Sequence, residues 1–498
     1  MFDLLMNGFT SVFTFYNLLL ILIGTIVGII FGALPGITAT LGVVVCLPIT
    51  YGMSAISGFS MLIGLYIGGM SGGLISATLL NIPGTGASVA TCFDAYPMSM
   101  KGEGGKALGV GIVYSFIGTI FSIILLSLIA PNLAKIAIRF GPMEYFALSF
   151  FSLTMVAGLS GKSIMRGMVS ACIGMMLAMI GAAPIDGYPR FTLGFHAFDA
   201  GFNLLPALVG LFAVSEVLKT VMTTDPTTDI NLGDTRIKGF GFSLKEFVSQ
   251  IRNMCVSAII GVGIGILPGI GGGASNIIAY GVAKNTSRYP EKFGTGVIDG
   301  IVASETSNNA SIGGAMVPLL TLGIPGDSIT AVLLGAFMVH GLQPGPMLFK
   351  SNSDFVYAIF AAMIIASFMM LFVELVFIRG FIKVLNIPKY LLIPAILVLC
   401  IVGAFAVNNR LFDLWVFLGF GIIGALLSKF DYPLAPVILG FLLGPYVELY
   451  FMRGMQVTRG DFLPFLTSPI SGIFILIAIL TFIFSVYKNY KALRKSRM

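Results

Sequence analysis

Apolar segments long enough to cross a bilayer follow one another almost from end to end of this chain, and nothing else in it constrains the fold as strongly. Runs such as LLLILIGTIVGIIF at 18–31 and GIFILIAILTFIF at 472–484 are apolar on every side. A hydrocarbon core about 30 Å thick needs a helix of roughly 20 apolar residues, whereas a membrane β-barrel needs segments of about ten residues with alternating polarity. Only helices fit. Of the 498 residues 57% are hydrophobic and 10% charged, with a mean hydropathy of +0.99. Soluble domains are roughly a quarter charged, so this chain lacks the polar surface to face water and a soluble enzyme is excluded. The expected fold class is all-α, a polytopic helical membrane protein with roughly 10–13 transmembrane segments.

Charge and cysteine usage narrow the reading. No Lys or Arg precedes Lys101, so the basic start of a secretory signal is missing and the first apolar segment is expected to stay in the mature protein. The tail KNYKALRKSRM carries Lys488, Lys491, Arg494, Lys495 and Arg497 without an acid, and the positive-inside rule places it in the cytoplasm. The net charge of +7 is thinly spread along segment ends, which argues against nucleic-acid binding. Cys46, Cys92, Cys172, Cys255 and Cys400 are isolated, and there are only two histidines. Neither a disulfide framework nor a structural zinc site is expected.

The longest polar interruption, 219–253, holds nine of the charged residues and divides the chain near its middle. The two sides repeat one another. Gly28, Gly32, Leu34, Pro35 and Gly36 form a frame that recurs as Gly261, Gly265, Leu267, Pro268 and Gly269, with Pro35 and Pro268 233 residues apart. NIPGTGAS at 81–88 recurs as GIPGDSIT at 323–330, with Pro83 and Pro325 242 residues apart. Basic residues flank the copies in opposite senses: Lys101 and Lys106 follow the first IPG and none follows the second until Lys350. Lys284, Arg288 and Lys292 lie between the second LPG and IPG, and none lies between the first pair. Equivalent positions thus prefer opposite faces of the membrane, which predicts two inverted repeats. The expected organisation is 1–218, a first half with LPG and IPG; 219–253, a polar connector; 254–349, a second copy; and 350–498, scaffold helices with a basic tail.

Proline inside a span removes a backbone hydrogen bond and a following glycine lets the chain leave helical geometry, so each LPG and IPG predicts a broken helix. Half-helix N-termini near the midplane offer free N–H groups and a positive dipole end, which suit an anion. The residues around the breaks are small and polar: Thr38 and Thr40; Asn81, Thr85 and Ser88; Gly271, Gly272, Gly273, Ser275 and Asn276; Ser328 and Thr330. Close helix packing and ordinary capping use the same residue types, and both readings stand at this level. A bulky side chain at Gly84 or Gly326 is expected to abolish uptake with normal membrane insertion.

The segment SETSNNASIGG at 304–314 concentrates Glu305, Ser307, Asn308 and Asn309 in an apolar region, where polar groups need partners or a function. Asp327 and Glu305 are poor direct partners for an anion; they are assigned to coupling, by taking a proton or helping to hold Na⁺. Asp94, Asp186 and Glu216 read as interfacial residues near segment ends, and His196 and His340 as hydrogen-bonding residues. No H-E-x-x-H, G-x-S-x-G or P-loop is present, so the chain is expected to be no enzyme, to need no cofactor, and to use an Na⁺ or H⁺ gradient rather than its own ATP hydrolysis.

GALPGITATLG, LNIPGTGASVATCFDAYPMSMKGEGGKALG, ILPGIGGGASNIIAYG, SNNASIGG and LTLGIPGDSITAVLLGAFMVHGLQPGP together resemble the large membrane subunit of the tripartite tricarboxylate transporters, over roughly residues 15–450. The resemblance implies a permease of the bacterial cytoplasmic membrane that takes up a citrate-like di- or tricarboxylate by ion symport. Its implied partners are a small four-helix membrane subunit and a periplasmic solute-binding protein, besides membrane lipid. It carries site roles to Pro35, Gly36, Pro83, Gly84, Pro268, Gly269, Asn308, Asn309, Pro325 and Gly326. Alternating access is expected, with an elevator-type displacement of the broken segments favoured over rocking halves. The alternative is a self-sufficient carrier or channel for small anions.

Overall fold

The computed structural model describes residues 2–159, 164–222, 241–385, 389–406 and 408–496. Residues 223–240 of the expected connector, and the side chains of the basic tail from Lys488, lie outside the described residues. The protein is all-α: among the described residues the only strands are Gly181–Ala182 and Pro189–Arg190, paired antiparallel.

The helices in chain order are α1 (Phe2–Val12), α2 (Phe15–Ala33), α3 (Ala39–Cys46), α4 (Ala55–Leu80), α5 (Thr91–Met98), α6 (Gly104–Ala137) and α7 (Pro142–Leu159). There follow α8 (Ile164–Ala178), α9 (Leu204–Val209), α10 (Ser215–Met222), α11 (Leu244–Ile266), α12 (Gly271–Thr286), α13 (Ile298–Leu322) and α14 (Ser328–Val339). The last are α15 (Leu348–Ser351), α16 (Ser353–Val384), α17 (Lys389–Ala406), α18 (Leu411–Lys429), α19 (Leu434–Val457), α20 (Leu463–Thr467) and α21 (Pro469–Ser496).

Seven helical stretches among the described residues are long and apolar enough to span a bilayer, fewer than the roughly 10–13 segments read from the sequence. The difference has two physical sources. Several apolar helices, Ala39–Gly52 and Ser328–Val339 among them, are short because the chain breaks beside them. Helix α13 is 25 residues long but carries the polar run from Ser304, and it is buried from Gly300 to Thr321, so protein rather than lipid surrounds it.

The chain forms two compact units. One comprises Met1–Ala134 with Lys219–Gly403, the other Lys135–Leu218 with Ala404–Met498. In the second unit, Gly174 of α8 and Gly440 of α19 each face a backbone carbonyl of the other helix, those of Val437 and Ala171. Arg190 there clamps Glu448 through two hydrogen bonds of 2.6 and 3.0 Å.

The first unit holds every LPG and IPG motif. Helix α2 runs parallel to α4: Gly24, Gly28 and Gly32 face the carbonyls of Met61, Leu65 and Gly69 so closely that a Cβ would overlap them. Helix α11 runs parallel to α13 in the same way, with Gly261 and Gly265 on the carbonyls of Ser307 and Ser311. Gly72 returns the contact to Ile29 and Gly314 to Val262. Each contact in the second pair is the first shifted by the spacing of the matched motifs: Gly28 to Gly261 with the LPG spacing, Leu65 to Ser307 with the IPG spacing. Small residues let helix backbones approach this closely in a membrane, where dispersion rather than the hydrophobic effect holds helices together.

Candidate substrate and ion site

Each LPG ends a helix in the same manner. Helix α2 stops at Ala33, Leu34 is extended at ψ 116°, and Gly36 takes φ 81°. Helix α11 stops at Ile266, Leu267 is extended at ψ 123°, and Gly269 takes φ 75°. Positive φ is where glycine is favoured, so the G of LPG is fixed by backbone geometry. Helix α4 likewise ends on Asn81 at φ 55° and α13 on Gly323 at φ 71°.

After each IPG the chain re-enters helix through equivalent caps. The Thr85 N–H donates to Ser88 Oγ at 3.2 Å, and the Asp327 N–H donates to Thr330 Oγ1 at 2.8 Å. Gly84 packs on the Gly32 carbonyl and Gly73; its counterpart Gly326 packs on the Gly265 carbonyl and Ala315. A Cβ at either glycine would strike backbone. A bulky residue at either position would strain the junction of the two breaks.

The four breaks meet crosswise. Thr40, after the first LPG, shares a 3.0 Å hydrogen bond with Ser328, after the second IPG. Asn276, after the second LPG, donates through Nδ2 to the carbonyl of Ala87, after the first IPG. Gly271 lies against the Asp327 side chain, and Gly272 against Asn308, Met70 and Ala87. Ser275 turns inward to the carbonyls of Gly272 and Ser307 at 3.1 and 3.3 Å. No Lys or Arg occurs in 33–40, 81–88, 268–276 or 304–330.

At this junction several buried polar atoms have no hydrogen-bond partner: both amide atoms of Asn308, Oδ1 of Asn276 and Oγ of Ser307. Buried polar groups are otherwise nearly always paired, and exceptions gather at functional sites. Not every expected residue joins them. Asn81 and Gly36 are exposed, Pro35 is half-buried, and Thr38 is the N-cap of α3, accepting from Leu41 N–H at 3.2 Å. Pro83, Pro268 and Pro325 shape the backbone.

Adjacent helical residues point about 100° apart, and the polar run of α13 is divided accordingly. Asn309 turns away from Asn308 and donates to the Glu305 backbone carbonyl and carboxylate at 3.1 and 3.4 Å. Glu305 is fully buried and also accepts from Thr91 at 2.5 Å and Ser115 at 2.9 Å. Asp327 accepts from Tyr66 at 2.6 Å and from the N–H and hydroxyl of Thr330, each at 2.7 Å. Among the described residues no group of three His, Cys, Asp or Glu side chains is placed to hold a metal.

Residues the sequence reading missed also stand here. Tyr66 lies one IPG spacing before Asn308, so the repeat itself points to it. Asp94, read as interfacial, is fully buried: Oδ1 accepts from the N–H groups of Gly294, Gly296 and Val297 at 2.8–3.0 Å, and Oδ2 from Tyr280 at 2.9 Å. Two further contacts join the outer ends. Lys101 donates to the Thr295 carbonyl at 2.6 Å, and His340 meets Thr50 at 3.3 Å. A surface cavity of about 320 Å³, lined by Glu246, Gln250, Lys292 and Asp299 among others, lies at the Lys101 end rather than at the breaks.

Residues 18–439 match the model of the tripartite tricarboxylate transporter TctA family. The chain is 34% identical over 475 residues, 95% of its own length and 94% of the relative's, to a protein of Agrobacterium vitis named "Uncharacterized 52.8 kDa protein in TAR-I ttuC' 3'region". It is 37% identical over 209 residues, 42% of its length and 86% of the relative's, to the "Uncharacterized protein in TAR-II ttuC' 3'region" of the same organism. No solved structure matches.

Proposed function

Because the chain belongs to the TctA family of tripartite tricarboxylate transporters, a family of multi-pass membrane transporters rather than enzymes, we propose that it is the large permease subunit for uptake of a citrate-like di- or tricarboxylate. Uptake is driven by an Na⁺ or H⁺ gradient and needs a small four-helix membrane subunit and a periplasmic binding protein. One observation carries the reading of the site: the four breaks converge on unpaired buried amides and hydroxyls with no fixed cation among them. Helix N-termini and neutral donors can bind carboxylate oxygens without trapping the anion as a buried lysine would.

The repeats are inverted in this proposal. Support comes from the ends of α4 and α13. Helix α4 follows the Thr50 loop, which touches His340; α13 ends with Gly323 against Pro344, only a few residues from His340. Helix α13 starts beyond Thr295, which touches Lys101. The two central helices therefore run oppositely. The end with Lys101, Lys284, Arg288 and Lys292 is the cytoplasmic one by the positive-inside rule, as is the C-terminus.

The test is uptake of labelled citrate into proteoliposomes. The proposal expects none from this chain alone and uptake once both partner subunits are present. Uptake by the isolated chain would favour a self-sufficient carrier instead.

A further inference from the structure

The buried acids of the first unit differ in one respect. Asp94 has four donors, Asp327 three and Glu305 three, spread over both oxygens in each case. In each of these three, both carboxylate oxygens have hydrogen-bond donors. Glu374 of α16 is the exception. It is fully buried, it receives a single hydrogen bond, from Ser71 of α4 to Oε2 at 2.7 Å, and its Oε1 has no partner. The residue lies outside the repeats and outside every motif read from the sequence.

Among the described residues no charged group bonds to it. Along α16 itself Asp354, Arg379 and Lys383 make no bond to it, nor do Asp3 of α1 or Lys350 of α15. Tyr66 of α4 is taken by Asp327, and Lys106 of α6 by Glu246. Helices α2 and α6 surround this part of α16 with Ile29, Ala33, Leu108 and Ile112. A carboxylate with one donor in apolar surroundings is far less favourable than the neutral acid.

We infer that Glu374 holds a proton in this conformation and is the proton-binding site that couples transport to a pH gradient. This rests on the transport reading above and selects H⁺ from its two coupling ions. The step is a simple one: an O–H bond forms on the carboxylate from an aqueous proton, and breaks again when a second conformation brings the bare oxygen to water. Ser71 ties the group to α4, so protonation acts on a helix that packs against the first LPG break.

Infrared difference spectroscopy on the full chain in lipid, titrated in pH with no substrate added, reads the proton directly. Wild type should show the carbonyl stretch of a buried carboxylic acid at neutral pH, lost in Glu374→Gln and retained in Glu305→Gln; Ser71→Ala should shift its frequency. An identical band in Glu374→Gln overturns the inference. In liposomes with all three subunits, an inside-alkaline gradient should stimulate labelled-citrate uptake by wild type at least tenfold more than by Glu374→Gln. Equal stimulation of both also overturns it. Absence of uptake by wild type counts against the transport reading, and the infrared band still decides whether Glu374 carries the proton.

Discussion

The Tyr66 phenol and the Asp327 carboxylate are joined by a 2.6 Å hydrogen bond, so the central helix of the first copy holds the helix start that follows the second IPG. Hydrogen bonds to charged groups contribute about 1.5–3 kcal/mol, and loss of an N-cap costs about 1 kcal/mol. Tyr66→Phe and Asp327→Ala should both lower the thermal unfolding midpoint in detergent, Asp327→Ala the more because it also removes the cap at Thr330. Asp327→Asn, which can still cap, separates the roles. Near-wild-type stability with abolished uptake supports coupling through the charge; normal uptake reduces Asp327 to a cap.

Asn308 should show the opposite sign on stability. Its amide is buried with neither atom paired, so Asn308→Ala removes an unsatisfied group at the expense of a small cavity. Uptake should fall at least tenfold, equivalent to about 1.4 kcal/mol, while the unfolding midpoint stays level or rises. Paired measurement of uptake and thermal midpoint checks this. A less stable protein with undiminished uptake would mean that Asn308 is an ordinary packing residue.

Gly84 and Gly326 test the junction between breaks. Any Cβ at Gly84 would overlap the Gly32 carbonyl, and one at Gly326 would lie 2.6 Å from the Ala315 Cα. Overpacking of this kind costs about 1–3 kcal/mol or more. Gly84→Leu should therefore reduce the amount of folded, monodisperse protein extracted from membranes, with Gly84→Ala intermediate. Normal yield of Gly84→Leu together with lost uptake would restore the simpler idea of a blocked substrate path.

Much of this site was legible in the sequence, for a physical reason. Backbone breaks and close backbone contacts need particular residue types, so Pro35, Gly36, Pro268 and Gly269 announce their geometry wherever they occur. The repeat of glycines at 28 and 32 and at 261 and 265 likewise anticipates the packing of α2 on α4 and of α11 on α13. Side-chain partnerships across the fold carry no such mark. The crosswise meeting of Thr40 with Ser328, and of Asn276 with Ala87, follows from how two copies interlock and not from any local pattern. Asp94 was misjudged because its four donors, three from a loop about 200 residues away and one from Tyr280 of α12, are distant in sequence. Glu374 had a sequence signal, a lone acid within FMMLFVELVF, which only its bare oxygen makes specific.

Asp94 ties α5 to the loop before α13. Asp94→Ala would leave three backbone N–H groups and the Tyr280 hydroxyl without an acceptor. Each unsatisfied buried group costs about 1–3 kcal/mol. The expected result is a clear drop in thermal midpoint and faster hydrogen exchange at 294–297, with Asp94→Asn recovering part of both. Unchanged exchange in Asp94→Ala would show that the loop is held by something other than this carboxylate.

The inverted arrangement makes a topological prediction. Lys101 contacts Thr295, and His340 contacts Thr50, so each copy's segment after IPG meets the other copy's segment between LPG and IPG. If the copies are inverted, these two contacts lie on opposite faces of the membrane. Cysteines placed at Lys101 and Arg288 should react with a membrane-impermeant thiol reagent only from the cytoplasmic side. Cysteines at Tyr51 and Gln343 should react only from the periplasmic side. The background must lack the native thiols, because Cys172 and Cys255 are exposed. Labelling of positions 101 and 343 from the same face would replace inversion with a parallel duplication, and the opposed directions of α4 and α13 would then need another cause.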